Sequence, residues 1–124
     1  MAVLDSSAII HVLGGTTQGK IILDKFGDQA QAITAVSMNE VLVGEQQQRA
    51  ARIREFCQGF EILPFDAKAA LKSVDIELTL RKKGKPIGKM DLFIAATCIA
   101  NDLPLITSDR DFKNVEGLRV LLIE

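Results

Sequence analysis

Asp91-Leu92-Phe93-Ile94-Ala95-Ala96-Thr97-Cys98-Ile99-Ala100-Asn101-Asp102-Leu103-Pro104-Leu105-Ile106-Thr107-Ser108-Asp109 decides the fold. Its first half is the most apolar helical stretch of the chain, starting at Asp91 and carrying Leu92 to Ala96 into the centre of a core. Asn101-Asp102 turns the chain, and Pro104 to Thr107 is a short strand with no polar alternation. A helix, a tight turn and an all-apolar strand form half of a parallel βαβ unit, whose strands are covered on both faces.

The alternation extends outward from there. Val3-Leu4 is a first strand ending at Asp5, followed by a helix through Ala8, Ile9, Val12 and Leu13 that stops at Gly14-Gly15. Thr16 or Thr17 caps a second helix with Ile21, Ile22 and Phe26 on its apolar positions, ending at Gly27. Ala32 to Thr34 is the second strand. Ser37 with Glu40 three residues on has the spacing of a capping box, opening a helix from about Met38. Gln46-Gln47-Gln48 marks a bend, and Ala50, Ile53, Phe56 and Cys57 continue at helical spacing to Gly59. Phe60 to Leu63, closed by Pro64, is the third strand. Asp66 caps a helix whose apolar face is Ala70, Leu71, Val74 and Leu78, and Arg81-Lys82-Lys83-Gly84 ends it with cations that suit a helix C-terminus. Pro86 to Lys89 is a loop. Beyond the opening stretch, Asp109 to Phe112 is a turn or short helix, with Phe112 as a core plug, and Leu118 to Ile123 is the last strand. The prediction is one domain over 1–124, an α/β fold with three α/β/α layers around a central, mostly parallel twisted sheet.

Composition excludes several classes. At 124 residues, with 48% hydrophobic and 25% charged residues, the chain is of single-domain size with an ordinary globular balance. Six Phe and no Tyr or Trp argue against the aromatic platforms on which single-stranded bases stack. A formal net charge of −1 gives no overall field for polyanions, so any nucleic-acid binding must come from a local patch or a bound cation. Cys57 and Cys98 fit no metal or redox spacing and read as buried free thiols. Met1-Ala2-Val3-Leu4 has none of the marks of a signal peptide. The longest apolar run, Leu92 to Ala100, is broken by Thr97 and is too short for a bilayer. The expected location is the cytoplasm, with no membrane partner.

Four acids carry the chemistry. Asp5 follows the first strand, Asp109 follows the fourth by two residues, and Glu40 and Asp91 lie in first turns of helices. In open parallel sheets ligands bind outside the carboxyl ends of the strands, and all four acids belong to that edge. Carboxylates gathered without Lys or Arg repel unless a divalent cation neutralises them. An all-oxygen donor set without His or Cys suits Mg²⁺ or Mn²⁺ rather than zinc. Such an ion can activate water and stabilise charge on a phosphodiester. Each acid also has a local explanation: Glu40 as a capping-box partner, Asp91 as a helix N-terminal charge, and Asp109 as a turn former. Asp5 has the weakest one, because an acid directly after a buried strand needs a partner. Asp111 reads as a turn residue and His11 as a helix-face residue.

The ordered set resembles the PIN-domain family and, within it, the small VapC-type toxin ribonucleases. The resemblance runs from Val3 to Ile123. It rests on Leu4-Asp5-Ser6-Ser7, Glu40 in Ser37-Met38-Asn39-Glu40-Val41, Asp91 before Leu92-Phe93-Ile94-Ala95-Ala96, and Leu105-Ile106-Thr107-Ser108-Asp109-Arg110-Asp111-Phe112. It implies a PIN-like domain and a metal-dependent endoribonuclease, the toxin of a toxin–antitoxin pair. Asp5, Glu40, Asp91 and Asp109 would be catalytic and would hold one or two Mg²⁺ or Mn²⁺ ions. Hydrolysis would leave a 5′-phosphate and a 3′-hydroxyl. Ser7 and Thr107 match supporting hydroxyls, whereas Ser108 departs from the Asn or Arg of many relatives. The implied partners are an RNA substrate, a cognate VapB-type antitoxin and a second copy in a homodimer. Arg81, Lys82, Lys83, Lys85 and Lys89 can line the approach of an RNA backbone or form a solvated helix end, and Arg49, Arg52 and Arg54 have the same two readings. Two other classes share part of the pattern. One is a PIN-like scaffold without catalysis. The other is a phosphoacceptor receiver domain, which needs paired acids after the first strand and a Lys after the fifth.

Overall fold

The computed structural model describes residues 1–44 and 47–124. Strands β1 (Ala2–Leu4), β2 (Ala30–Thr34), β3 (Glu61–Leu63), β4 (Leu105–Thr107) and β5 (Val120–Leu122) form one sheet in the order β3-β2-β1-β4-β5. Every pairing is parallel, with Leu4 opposite Ile33 on one side and Ile106 on the other. A receiver domain of the flavodoxin-like type has the order 2-1-3-4-5, so this topology removes that alternative.

Helices cover both faces because alternate strand residues point to opposite sides. Val3, Ala32, Leu63 and Leu105 pack with Ile76 and Leu80 of α5 (Ala67–Lys82), Leu92, Ala95 and Ala96 of α6 (Lys89–Ala100), and Phe112. Ala2, Leu4, Ile33 and Ile106 pack against the other layer. There they meet Ala8 and Ile9 of α1 (Ser6–Gly14), Ile22 of α2 (Thr17–Phe26), Val41 of α3 (Ala35–Gly44), and Ile53 and Cys57 of α4 (Gln47–Gln58). Seven of the twelve residues of α6 are buried, as its unbroken apolar sequence requires. Cys57 and Cys98 are buried free thiols, and burial pushes the Cys98 thiol up to about 12.

The caps explain the local starts and stops. Asp5, Thr16 and Asp66 accept from the backbone N–H three residues on, opening α1, α2 and α5. Gly15, with φ +62°, closes α1 in the left-handed conformation. Gly19 lies where α2 crosses α1 so closely that any β-carbon would collide with the His11 carbonyl.

Three expectations need correction. The capping box is absent: α3 begins at Ala35, and Thr34 Oγ1 accepts the Ser37 N–H at 2.9 Å, so the last strand residue caps the helix. That frees Glu40 from its local explanation. The apolar face of α5 is also misplaced. Leu71, Val74 and Leu78 are 71%, 53% and 52% exposed, while Ala69, Ser73, Ile76 and Leu80 face the sheet. Two apolar stripes compete along this helix, and only the crossing over α6 decides between them. Finally, α6 begins at Lys89, which takes that residue out of the expected loop and keeps Asp91 in the first turn, whereas Glu40, the sixth residue of α3, lies beyond the first turn expected for it. Glu45 and Gln46 lie outside the described residues, and with them the expected bend; helix resumes at Gln47.

Candidate functional site

β1 is where the strand order reverses. From it the chain proceeds outward through β2 and β3, then returns to the other side for β4 and β5. A crevice opens at the carboxyl ends of the strands beside such a switch point, and the predicted acids converge there.

Asp5 is the best-fixed of them, 4% exposed directly after β1. Its Oδ1 accepts the Ala8 N–H at 2.9 Å and the Ser7 hydroxyl at 2.7 Å, and its Oδ2 accepts the Thr107 hydroxyl at 2.5 Å. Burial raises its pKa, while these donors pull it down. Thr107 Oγ1 also accepts the Asp109 N–H at 3.0 Å, so one hydroxyl at the end of β4 sets two acids. Ser7 Oγ in turn accepts from the Ser108 N–H at 3.3 Å and pairs with the Ser108 hydroxyl at 3.1 Å. Asp109 caps the 3₁₀ turn Arg110–Asn114 through the Asp111 N–H.

Glu40, on α3, accepts the Ser6 hydroxyl at 2.7 Å. Sequence reading missed Ser6, because no spacing rule connects residues 34 positions apart. The doubled hydroxyl after Asp5 was the only signal. The structure splits its duties, Ser7 serving Asp5 and Ser6 serving Glu40.

Asp91 is different. It has no hydrogen bond or ion pair among the described residues, and burial together with the charges of Asp109, Glu40, Asp5 and Asp111 pushes its carboxyl up to about 6. All four predicted acids, with Asp111 at the margin, therefore share one electrostatic field. None of the four pairs with Lys or Arg among the described residues. A carboxylate left unpaired among carboxylates is stabilised by a cation. Among the described residues no three acid, His or Cys side chains stand close enough together to hold a metal ion. The donor set fits a divalent ion of the Mg²⁺ or Mn²⁺ kind.

The basic residues have uneven surroundings. Arg81 and Lys89 both bond to Glu77, at 2.6 and 2.7 Å, and Lys83 pairs with Glu116 at 2.7 Å. Lys82 and Lys85 are exposed, as are Arg52 and Arg54 on α4. His11 bonds Thr16 Oγ1 at 2.9 Å, a contact between α1 and the α2 cap.

The chain is similar to known proteins in sequence and fold. Residues 2–118 match the PIN domain family. The chain is 30% identical to ribonuclease VapC1 of Rickettsia felis, over 98% of this chain and 95% of that protein. Among solved structures, the crystal structure of VapBC2 from Rickettsia felis bound to a promoter DNA fragment superposes with a TM-score of 0.85 at 22% identity. It covers 99% of this chain and 98% of that one. A toxin–antitoxin complex from Klebsiella pneumoniae gives a TM-score of 0.78 at 28% identity, covering 98% and 96%. With the PIN domain matched over residues 2–118, nearly its whole length, the chain belongs to the PIN-domain family.

Proposed function

We propose that the protein is a metal-dependent endoribonuclease, the toxin of a VapBC-type toxin–antitoxin pair, acting through Mg²⁺ or Mn²⁺ held by Asp5, Glu40, Asp91 and Asp109. The observation that carries this reading is Asp91, an unpaired carboxylate facing the other acids at the switch point of the sheet. The ribonuclease names of the relatives and the toxin–antitoxin complexes among the solved neighbours support the substrate class and the partner.

A bound divalent ion supplies positive charge to the phosphodiester and makes water a better nucleophile at neutral pH. The chain's own part is orientation. Ser7 and the Ala8 N–H occupy Asp5 Oδ1, and Thr107 takes one position of Oδ2, leaving the other Oδ2 lone pair for a metal or its water. Ser6 holds Glu40 through Oε1, and the second oxygen, Oε2, suits the proton of an attacking water. In hydrolysis the water oxygen bonds to phosphorus and the bond to the 3′-oxygen breaks. The 3′-oxygen leaves as a hydroxyl, and the phosphate stays on the 5′ side. A homodimer is part of the proposal, supported by the exposed Leu71, Val74 and Leu78 stripe on α5; light scattering of the purified chain tests it.

The function itself is tested by Mn²⁺ titration followed by cleavage of defined RNAs with EDTA as control. Cleavage that requires the ion and disappears in Asp5→Asn is the expected result. Absence of both metal binding and cleavage would leave the scaffold alternative.

A further inference from the structure

Beside the acid crevice, on the other flank of α6, lies a cleft of about 240 Å³ between α5, the loop after it and the first turn of α6. Leu80, Pro86, Ile87 and Leu92 make apolar walls, and Glu77, Arg81 and Lys89 supply the polar groups. It is smaller than the roughly 300–1,000 Å³ of sites for drug-sized ligands, and its size suits a single planar ring system. Lys89 and Leu92 bracket Asp91 in one helical turn, so the cleft and the acids are separated by about one helix diameter, roughly 10 Å. A short piece of single strand spans that distance.

The polar groups have a definite pattern. Arg81 bonds one Glu77 oxygen and Lys89 the other. A carboxylate has about four acceptor positions, so each oxygen retains one. Lys89 keeps further N–H donors beside them. With two cations and one anion the group carries a net +1, which offsets the charge of an entering strand. The free pattern is thus one donor next to two acceptors. Guanine's Watson–Crick edge presents the complement, an O6 acceptor next to the N1–H and N2–H donors. Adenine, cytosine and uracil each lack the paired donors.

We infer that this cleft reads a guanine of the RNA near the cleaved bond. Leu80, Ile87 and Leu92 form the floor beneath the ring, Glu77 accepts from N1–H and N2–H, and Lys89 donates to O6. The inference rests on the ribonuclease reading for its substrate, but it assigns a specificity role to Glu77 that the acid site does not require.

The test measures binding without cleavage. The wild-type protein, free of divalent metal, is titrated with labelled single-stranded UUGUU and with versions carrying adenine, cytosine or inosine at the centre. Loss of one good base contact weakens binding about tenfold, so inosine, which lacks the N2 donor, should bind about that much less tightly than guanine. Glu77→Gln replaces one acceptor by a donor and should erase the guanine preference while leaving the melting temperature in place. Methyl resonances of Leu80, Ile87 and Leu92 should shift with the guanine probe alone. Equal affinity for all four centres, or a guanine preference that survives Glu77→Gln, overturns the assignment. Cleavage of the same RNAs in Mn²⁺ is followed separately. Cutting without base preference refutes the cleft and keeps the ribonuclease. Guanine-selective binding without cutting keeps the cleft and refutes the ribonuclease.

Discussion

Asp91 and Asp5 are both acids in the same crevice, yet they answer differently to protons. The folded value for Asp91, about 6, lies above its ordinary 3.8, so the folded state holds a proton that the unfolded chain has released. Stability contributed by that proton is therefore lost as pH rises from 3.8 to about 6, and the penalty is full above. Asp91→Asn removes it. Without metal at neutral pH the variant should be more stable by about 1 kcal/mol, discounted for the solvent around a half-buried side chain. Thermal melts at falling pH should show the advantage shrinking toward pH 3.8. In saturating Mn²⁺ the order should invert, because the variant lacks one of the proposed ligands. For the same reason metal affinity in the wild type should fall as pH drops through about 6, which calorimetric titration would reveal as proton release on binding. Thr107→Val tests the other acid. It leaves Asp5 Oδ2 and the Asp109 N–H without their shared partner. An unsatisfied buried group costs about 1–3 kcal/mol, and cleavage should fall along with stability.

The clearest contrast between elements is on α5. Leu80 is buried against α6 and the sheet, whereas Leu71 projects into solvent nine residues earlier. Leu80→Ala should cost about 2–5 kcal/mol, and Leu71→Gln should change monomer stability by less than about 0.5 kcal/mol; urea titration of the two variants distinguishes them. What was legible in the sequence follows the same division. Strand and helix identity came through wherever apolar runs were unbroken, as in α6 and β4, because a segment buried on all sides needs no orientation. The face of α5 did not, since Leu71, Val74 and Leu78 have as good a helical period as Ile76 and Leu80. The start of α3 was misread because Ser37 and Glu40 imitate a cap that Thr34 provides from the end of β2. At the site, Asp5 and Asp109 were readable from their places after strands and Asp91 from its first helical turn, whereas Glu40 lies one turn deeper in α3 than its sequence suggests. Ser6, which reaches Glu40 across the fold, and the cleft around Glu77 were not, because both depend on which elements pack together.

For the molecule as a whole, relief of the repulsion among the acids by the proposed cation should add to stability. Free ion at about a hundred times its dissociation constant should add about 2.7 kcal/mol. Melting in Mn²⁺ should rise accordingly, return to baseline with EDTA, and stay flat in Asp5→Asn. An increase of equal size in Asp5→Asn would remove that residue from the metal site. No described helix is long and apolar enough to cross a membrane.

The bond from Thr107 to Asp5 joins residues 102 positions apart. β1 is made first and sits in the middle of the sheet, but one of its neighbours, β4, comes from the last fifth of the chain. During synthesis, then, a nascent chain exposes Asp5 long before Thr107 and Asp109 exist. The site appears only when β4 docks, close to the end of translation, and contacts of such long sequence separation form late. In the proposed ribonuclease, a chain still on the ribosome therefore lacks the assembled acid cluster until its last strands are made.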